Sequence, residues 1–322
     1  MDCMNKLQVV VGDVSIGMHG EGFSYIFSGM RGGMESLVSG GKEWIYKSPV
    51  PTFWRALTDN DRGNGFALKS GMWIGADCFI KCTDYAVEID GKSVEIPLPP
   101  ANNVYGGAVE AHQASVTYRY ETVTVPHTQV TVSYEVSAAG NIHVRVHYEG
   151  KKGLPELPVF GMRFIMPTCA DRYRYEGLSG ETYPDRMAGG VPGVYDVKGM
   201  PVTPYIVPQD CGMHMGTKWV EVYRSKVLDN SCKDEKESGL RFWAEDGKDI
   251  AFACLPYTAM ELENATHQEE LPPARRTVLT VLGAVRGVGG IDSWGADVET
   301  PYHISAEEDI AYDFWIGGAA VQ

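Results

Sequence analysis

Basic residues are scarce in this sequence. Against 42 Asp and Glu stand 28 Lys and Arg, a formal net charge of −14 over 322 residues. A grip on nucleic-acid phosphates takes an excess or a cluster of Lys and Arg, so nucleic acid is not an expected partner. The same deficit argues against docking on anionic membranes. A neutral substrate or a partner protein suits the charge better. No window approaches 18 apolar residues, so nothing reads as a membrane span. The opening Met1–Gly12 lacks the basic start and apolar run of a signal peptide. The seven cysteines are odd in number and scattered, which with the missing signal reads as reduced thiols in a cytoplasm. Cys78 and Cys82 lie four apart, but no second Cys or His pair completes a zinc set, and both read as small buried apolar residues.

Familiar catalytic signatures are missing as well. There is no G-x-S-x-G, no P-loop and no G-x-G-x-x-G; Gly287-Val288-Gly289-Gly290 is glycine-rich, but no helix pattern follows it to hold a phosphate. His143 and His147 have helical chelate spacing. On a strand, however, they would lie about 13 Å apart, and they read as outward-facing polar residues beside Arg145. Thr58–Gly65 superficially suggests a calcium loop starting at Asp59, but its fifth and twelfth positions are Gly63 and Ser70, where an EF-hand needs Asp or Asn and then Glu. It reads instead as a tight turn rich in hydrogen bonds, preceded by Trp54-Arg55 as a buried or interface anchor.

What is present is period-two alternation. Val116, Tyr118 and Tyr120 alternate with polar residues; so do Val130, Val132, Tyr134 and Val136, and, after the turn at Ala138–Asn141, Ile142, Val144, Val146 and Tyr148. The last two runs predict an antiparallel hairpin. Similar short runs predict strands at Leu7–Val11, Ser24–Ser28, Tyr85–Ile89, Trp219–Val227, Leu240–Ala244, Ile250–Leu255 and Thr277–Val285, with Gly (37) and Pro (18) punctuating them. Helical signal is confined to Phe66–Asp77 and Tyr257–Asn264, too sparse for a βαβ architecture. Asp229–Ser238 reads as an exposed polar loop. The expected product is one large antiparallel β-sandwich with long loops, and those loops carry the unusual residues.

Two loop regions stand out. Glu181–Gly190 and Pro204–Trp219 place Glu181, Tyr183, Asp185, Arg186, Gln209, Asp210 and His214 in Pro/Gly-rich sequence. Val285–Gly295 places Trp294 after Asp292 and Ser293 in a loop whose glycines let the backbone approach a ligand. An exposed indole there would suit the C–H face of a sugar ring, whereas a core Trp is the plain alternative; the pattern alone does not choose. Glycoside hydrolysis needs two carboxylates at a set separation, which sequence does not supply.

Six segments in order carry a resemblance: FWRALTDNDRGNG (53–65), FGMRFIMP (160–167), GLSGETYPDRMAG (177–189), PYIVPQDCGMHMGTK (204–218), ENATHQEELP (263–272) and VRGVGGIDSWG (285–295). The chain resembles, from about Leu7 to Ile316, the C-terminal β-domain of the large bacterial β-galactosidases of glycoside hydrolase family 2. Within that family it looks like the separately encoded small subunits of heterodimeric enzymes. The resemblance implies an all-β, galactose-mutarotase-like antiparallel supersandwich with one or two short helices, made by residues 7–322 as a single domain after a short leader at 1–6. It implies hydrolysis of terminal β-galactosides such as lactose with retention, in a complex with a large subunit bearing a TIM barrel. That subunit would hold the catalytic glutamates and the magnesium, leaving no catalytic residue, metal ligand or cofactor in this chain. Trp294 is implied as a sugar-stacking residue, with Asp292 and Ser293 supporting its loop. Trp54, Arg55, Asp59, Asp61, Glu181, Tyr183, Asp185 and Arg186 are candidates for the subunit interface or the pocket rim. A permanent interface tends to be apolar, so an exposed apolar patch is expected. Two other functions stay open: a stand-alone aldose mutarotase or epimerase, for which His214 and His267 would be tested as acid–base groups, and a carbohydrate-binding module. Whether the chain is a natural subunit or an excised domain also stays open.

Overall fold

A computed structural model describes residues 6–97, 107–228 and 236–320. Leader residues 1–5 and most of the polar loop predicted at Asp229–Ser238 lie outside the described residues. The architecture is three antiparallel sheets. Ten strands form the largest sheet, in the spatial order Pro192–Lys198, Arg172–Leu178, Trp219–Arg224, Ser238–Trp243, Ile310–Ala319, Ile142–Tyr148, Gln129–Ser137, Gln113–Glu121, Lys81–Ile89 and Lys92–Val94. A six-stranded sheet is built from Lys42–Glu43, Gly33–Ser39, Phe23–Ser28, Ser15–Gly20, Leu7–Val11 and Val109–Ala111. A five-stranded sheet is built from Met213–Thr217, Ile250–Leu255, Thr277–Val285, Val159–Met166 and Lys47–Thr52.

Alternation sets which face each strand of the ten-stranded sheet buries. In Gln129–Ser137 every second residue is buried, and the strand pairs with Ile142–Tyr148 in the register Val136↔Ile142 through Val130↔Tyr148. Gly140 turns the chain at φ +82°, in the left-handed region that glycine occupies without steric cost. Both smaller sheets pack on the same face of the ten-stranded sheet. Phe27 meets Tyr134 at 5.5 Å between ring centroids, and Tyr120 donates to the Gly32 carbonyl at 2.6 Å, tying down the six-stranded sheet. Phe164 meets Phe242 at 5.1 Å, and Phe160 meets Tyr148 and Tyr312, tying down the five-stranded sheet.

The five-stranded sheet is covered on both faces, which explains why Ile250–Leu255 is an unbroken apolar run and is buried throughout. Phe252, Leu279 and Val281 face the main core. Ala251, Ala253, Leu282 and Val285 face the other way and pack with Val159, Tyr183 and Met213. Loops therefore cover that second face, and the site described below is built from them.

Four short α-helices are present among the described residues: α1 (Asp59–Asn64), α2 (Phe66–Ser70), α3 (Met72–Phe79) and α4 (Ala259–Asn264). Both predicted helices are found, and the turn expected at Thr58–Gly65 is a helix instead. Thr58 caps α1 by accepting from the Asp61 amide at 3.1 Å, while the Asp61 carboxylate accepts from the Thr58 amide at 3.0 Å. The strand expected over Trp219–Val227 stops at Arg224. His143 does not face solvent as expected: it is buried, stacked on Trp315 at 4.2 Å, and 2.9 Å from Asp313. Cys78 is exposed rather than buried; with Cys82, Cys169, Cys211 and Cys254 it is a free thiol.

Phe160 is fully buried where the five-stranded and ten-stranded sheets meet, so Phe160→Ala should cost about 3–5 kcal/mol of unfolding free energy. Urea denaturation measures this, and a loss under 1 kcal/mol would show that the two layers do not depend on this contact.

Candidate functional site

Four loop segments converge over the outer face of the five-stranded sheet: the start of α1, Glu181–Arg186, Tyr205–Asp210 and Val288–Gly290. They line a cleft of about 550 Å³ whose polar walls include Asp59, Glu181, Tyr183, Arg186 and Asp210. Beneath it lies a network of buried charges. Arg55 and Arg286 are both almost inaccessible, and both converge on Asp61. Arg55 donates to Asp61 at 2.6 Å and to the Gly287 carbonyl at 3.2 Å. Arg286 reaches Asp61 at 3.2 Å, Glu156 at 3.3 Å and Asp297, and its guanidinium lies over the Phe66 ring. Burial alone would depress the Arg55 pKa, but Asp61 and Asp210 outweigh it and hold the group charged. Two guanidinium groups sharing one carboxylate fix α1 against the start of the 286–297 loop.

Further contacts complete that attachment. Asp185 accepts from the amides of Val288 (3.0 Å) and Gly289 (2.7 Å). Arg186 donates to the Gly289 carbonyl, and Asn60 donates to the Val288 carbonyl at 2.9 Å. Asp292 accepts from the amides of Trp294 (2.9 Å) and Ala296 (3.1 Å), closing the turn that presents the indole. Gly295, at φ +83°, rests so close to α1 that a Cβ would sit 2.8 Å from the Gly63 carbonyl. Trp294 itself is 92% exposed. The core-Trp alternative therefore falls: the backbone is pinned at both ends of the loop while the ring stands in solvent.

The candidates fall into two groups. Asp59, Glu181, Tyr183 and Arg186 line the cleft. Trp54, Arg55, Asp61 and Asp185 do not form a rim, because their side chains are turned inward. Trp54 is 2% exposed, stacks on Phe66 and donates to Glu263, and the other three make the buried contacts just described. Ser293 is on the loop with Trp294, with no support visible from its own side chain. Sequence reasoning missed Arg286, whose signal was a lone cation directly after the apolar strand Thr277–Val285. It also left out of the candidate set Asp210, whose carboxyl burial raises to about 6 against the opposing pull of Arg55 and the Tyr183 hydroxyl, which donates to it at 2.8 Å.

The two histidines offered for the mutarotase reading do not line the cleft. His214 lies in a strand, not a loop, and its ring packs against Phe252 (4.7 Å) and Tyr175 (4.4 Å), 4% exposed. Burial lowers its pKa to about 4. His267 is exposed and engaged with Glu270 at 3.3 Å, and it takes no part in the cleft. Among the described residues, His143, Glu245 and Asp313 could gather around a cation. The Lys248 ammonium already occupies that role, 2.7 Å from Asp313 and 2.9 Å from Glu245. No helix among the described residues is long and apolar enough to cross a membrane.

Two outcomes follow from the buried groups. Asp61→Ala leaves two guanidinium groups without their shared carboxylate and should destabilise the protein by about 3–5 kcal/mol in denaturant titration; a loss below 1 kcal/mol would show that the ion network does not hold the loops. His214 binds a proton in the unfolded chain below about pH 6.5 but resists it in the folded one. Its contribution is complete above that pH and is lost as pH falls toward 4. His214→Phe should therefore flatten the acid limb of the stability profile, by an amount on the order of 3 kcal/mol at pH 4; an unchanged acid limb would count against this.

Comparison with known proteins gives one family. The profile of the β-galactosidase small chain matches residues 19–316. The β-galactosidase small subunit of Latilactobacillus sakei is 59% identical over 311 residues, covering 97% of this chain and 98% of that protein. The β-galactosidases of Halalkalibacterium halodurans and Streptococcus thermophilus are 36% and 33% identical over 96% of this chain, but this chain spans only 28% and 27% of their lengths. Among solved structures, a putative aldose 1-epimerase from Escherichia coli K12 aligns over 98% of this chain and all of that one, with 10% identity and a TM-score of 0.44. By profile and by near-full-length identity, with the exposed tryptophan loop seated on its buried ion network, the chain belongs to the β-galactosidase small-chain family.

Proposed function

We propose that this chain works as the non-catalytic but required subunit of a heteromeric β-galactosidase hydrolysing terminal β-D-galactosides such as lactose with retention. Its own contribution to the sugar site is Trp294. The catalytic glutamates and the magnesium belong, on this reading, to a large subunit with a TIM barrel. The observation that carries the proposal is the Trp294 loop: an indole 92% exposed on a backbone held by Asp292, Asp185 and the Arg55–Asp61–Arg286 network. Ordering a chain so firmly to hold an apolar ring in water makes sense if the ring meets something apolar. The C–H face of a galactoside is such a surface.

Purified alone, the chain should leave a chromogenic β-galactoside unhydrolysed, and mixing with the cognate large subunit should give full activity. In that complex Trp294→Ala should remove one stacking contact worth about 1–2 kcal/mol, raising KM roughly 5- to 30-fold. Hydrolysis by the lone chain, or an unchanged KM, would overturn the assignment.

A further inference from the structure

We propose that the outward stripe Leu68–Met72–Phe79, continuous with the Trp294 loop, is the seat on which the large subunit docks. The inference rests on the subunit reading above. α2 and α3 run as nearly one helix, because the Gly71 between them keeps right-handed helical torsions (φ −61°, ψ −16°) and the helical phase carries across. The inward face is already fully used: Phe66, Ser70, Trp73, Ala76 and Asp77 are buried in the helical spacing that packs against the core. On the opposite side Leu68, Met72 and Phe79 fall within about 40° of one another at 100° per residue. They are 94%, 39% and 70% exposed. A surface helix needs one apolar face; a helix with two is built to be covered on both.

The place of this stripe says what covers it. Gly295 packs on Gly63 at the end of α1, and Leu68 lies about one turn further on, its Cδ1 reaching within 4.0 Å of where a Gly65 side chain would start. Asp297, just past Trp294, holds Asn64 at 3.3 Å and Lys69 at 3.3 Å. Ile291, 58% exposed, extends the apolar surface on the loop itself. A body that brings a galactoside to Trp294 would therefore lie beside Leu68 and Ile291. In the long relatives, the matched segment is only 27–28% of the polypeptide, so a covalently joined body more than twice its size is available to cover the same surface. Here that body is a separate chain and must be held by contacts alone.

The test titrates this chain against a fixed amount of the cognate large subunit. It reads the concentration giving half-maximal activity, the saturated kcat, and KM for a chromogenic β-galactoside, with sedimentation velocity as a direct measure of association. Leu68→Asp with Phe79→Asp should raise the half-saturating concentration at least tenfold and leave saturated kcat and KM close to wild type. Trp294→Ala should show the reverse pattern, a raised KM with half-saturation changed less than threefold. Met30→Asp, at an exposed apolar residue in the turn between strands Phe23–Ser28 and Gly33–Ser39, is the control and should change neither. The milder Leu68→Ala with Phe79→Ala should give the same pattern at smaller amplitude, and thermal melting of each free variant should match wild type. Half-saturation equal to wild type in the Asp pair, or a change confined to self-association of this chain, overturns the docking seat while leaving the subunit assignment standing. A wild-type chain that neither binds nor activates the large subunit overturns both.

Discussion

One buried carboxylate holds the working end of this protein together. Asp61 closes the capping box of α1, receives Arg55 and receives Arg286, and all three side chains are shielded from water. Each guanidinium would be costly to bury unpaired, and the shared carboxylate with its hydrogen-bonded surroundings offsets that cost. The arrangement ties residues distant in sequence. Arg55 follows the last strand of one sheet edge, Asp61 sits in a short helix, and Arg286 ends a central strand of the same sheet. Because the network cannot shift without exposing a charge to an apolar interior, the loops anchored on it are held in one arrangement.

From that constraint the rest of the site follows. Arg55 holds the Gly287 carbonyl, Asp185 holds the next two amides, and Asp292 closes the turn before Gly295 lands on α1. The result is a firmly held loop with an exposed aromatic ring at its tip. The ion network is thus placed to hold the loop that carries the ring. Asp210, its one carboxyl with a clearly raised pKa, is buried and bonded to Tyr183. Such a carboxyl can be structural as well as catalytic.

Much of the fold was legible in the sequence because half-buried strands write their geometry as alternation. The hairpin of Val130–Val136 with Ile142–Tyr148 is found as the expected antiparallel pair, and Ile250–Leu255 and Thr277–Val285 match to the residue. Strands such as Arg172–Leu178 and Pro192–Lys198 escaped, because charged residues on their open face and Pro or Gly at their ends break the apolar run. His143 was misread because strand alternation says which side a residue faces but not whether Trp315 covers it there. In the site, the glycine-rich tryptophan loop and the acidic Tyr183–Arg186 segment were visible as unusual composition. The convergence of Asp61, Arg55 and Arg286 was not, since no local pattern reports a contact across 225 residues of chain.

The central claim is that this chain lends an indole to a sugar site completed by another subunit. The most direct measurement is the structure of the complex with a non-hydrolysed galactoside bound. The account predicts the Trp294 ring over the sugar's C–H face with heavy atoms within about 4.5 Å. An indole left in solvent, or packed against protein away from the sugar, would contradict it.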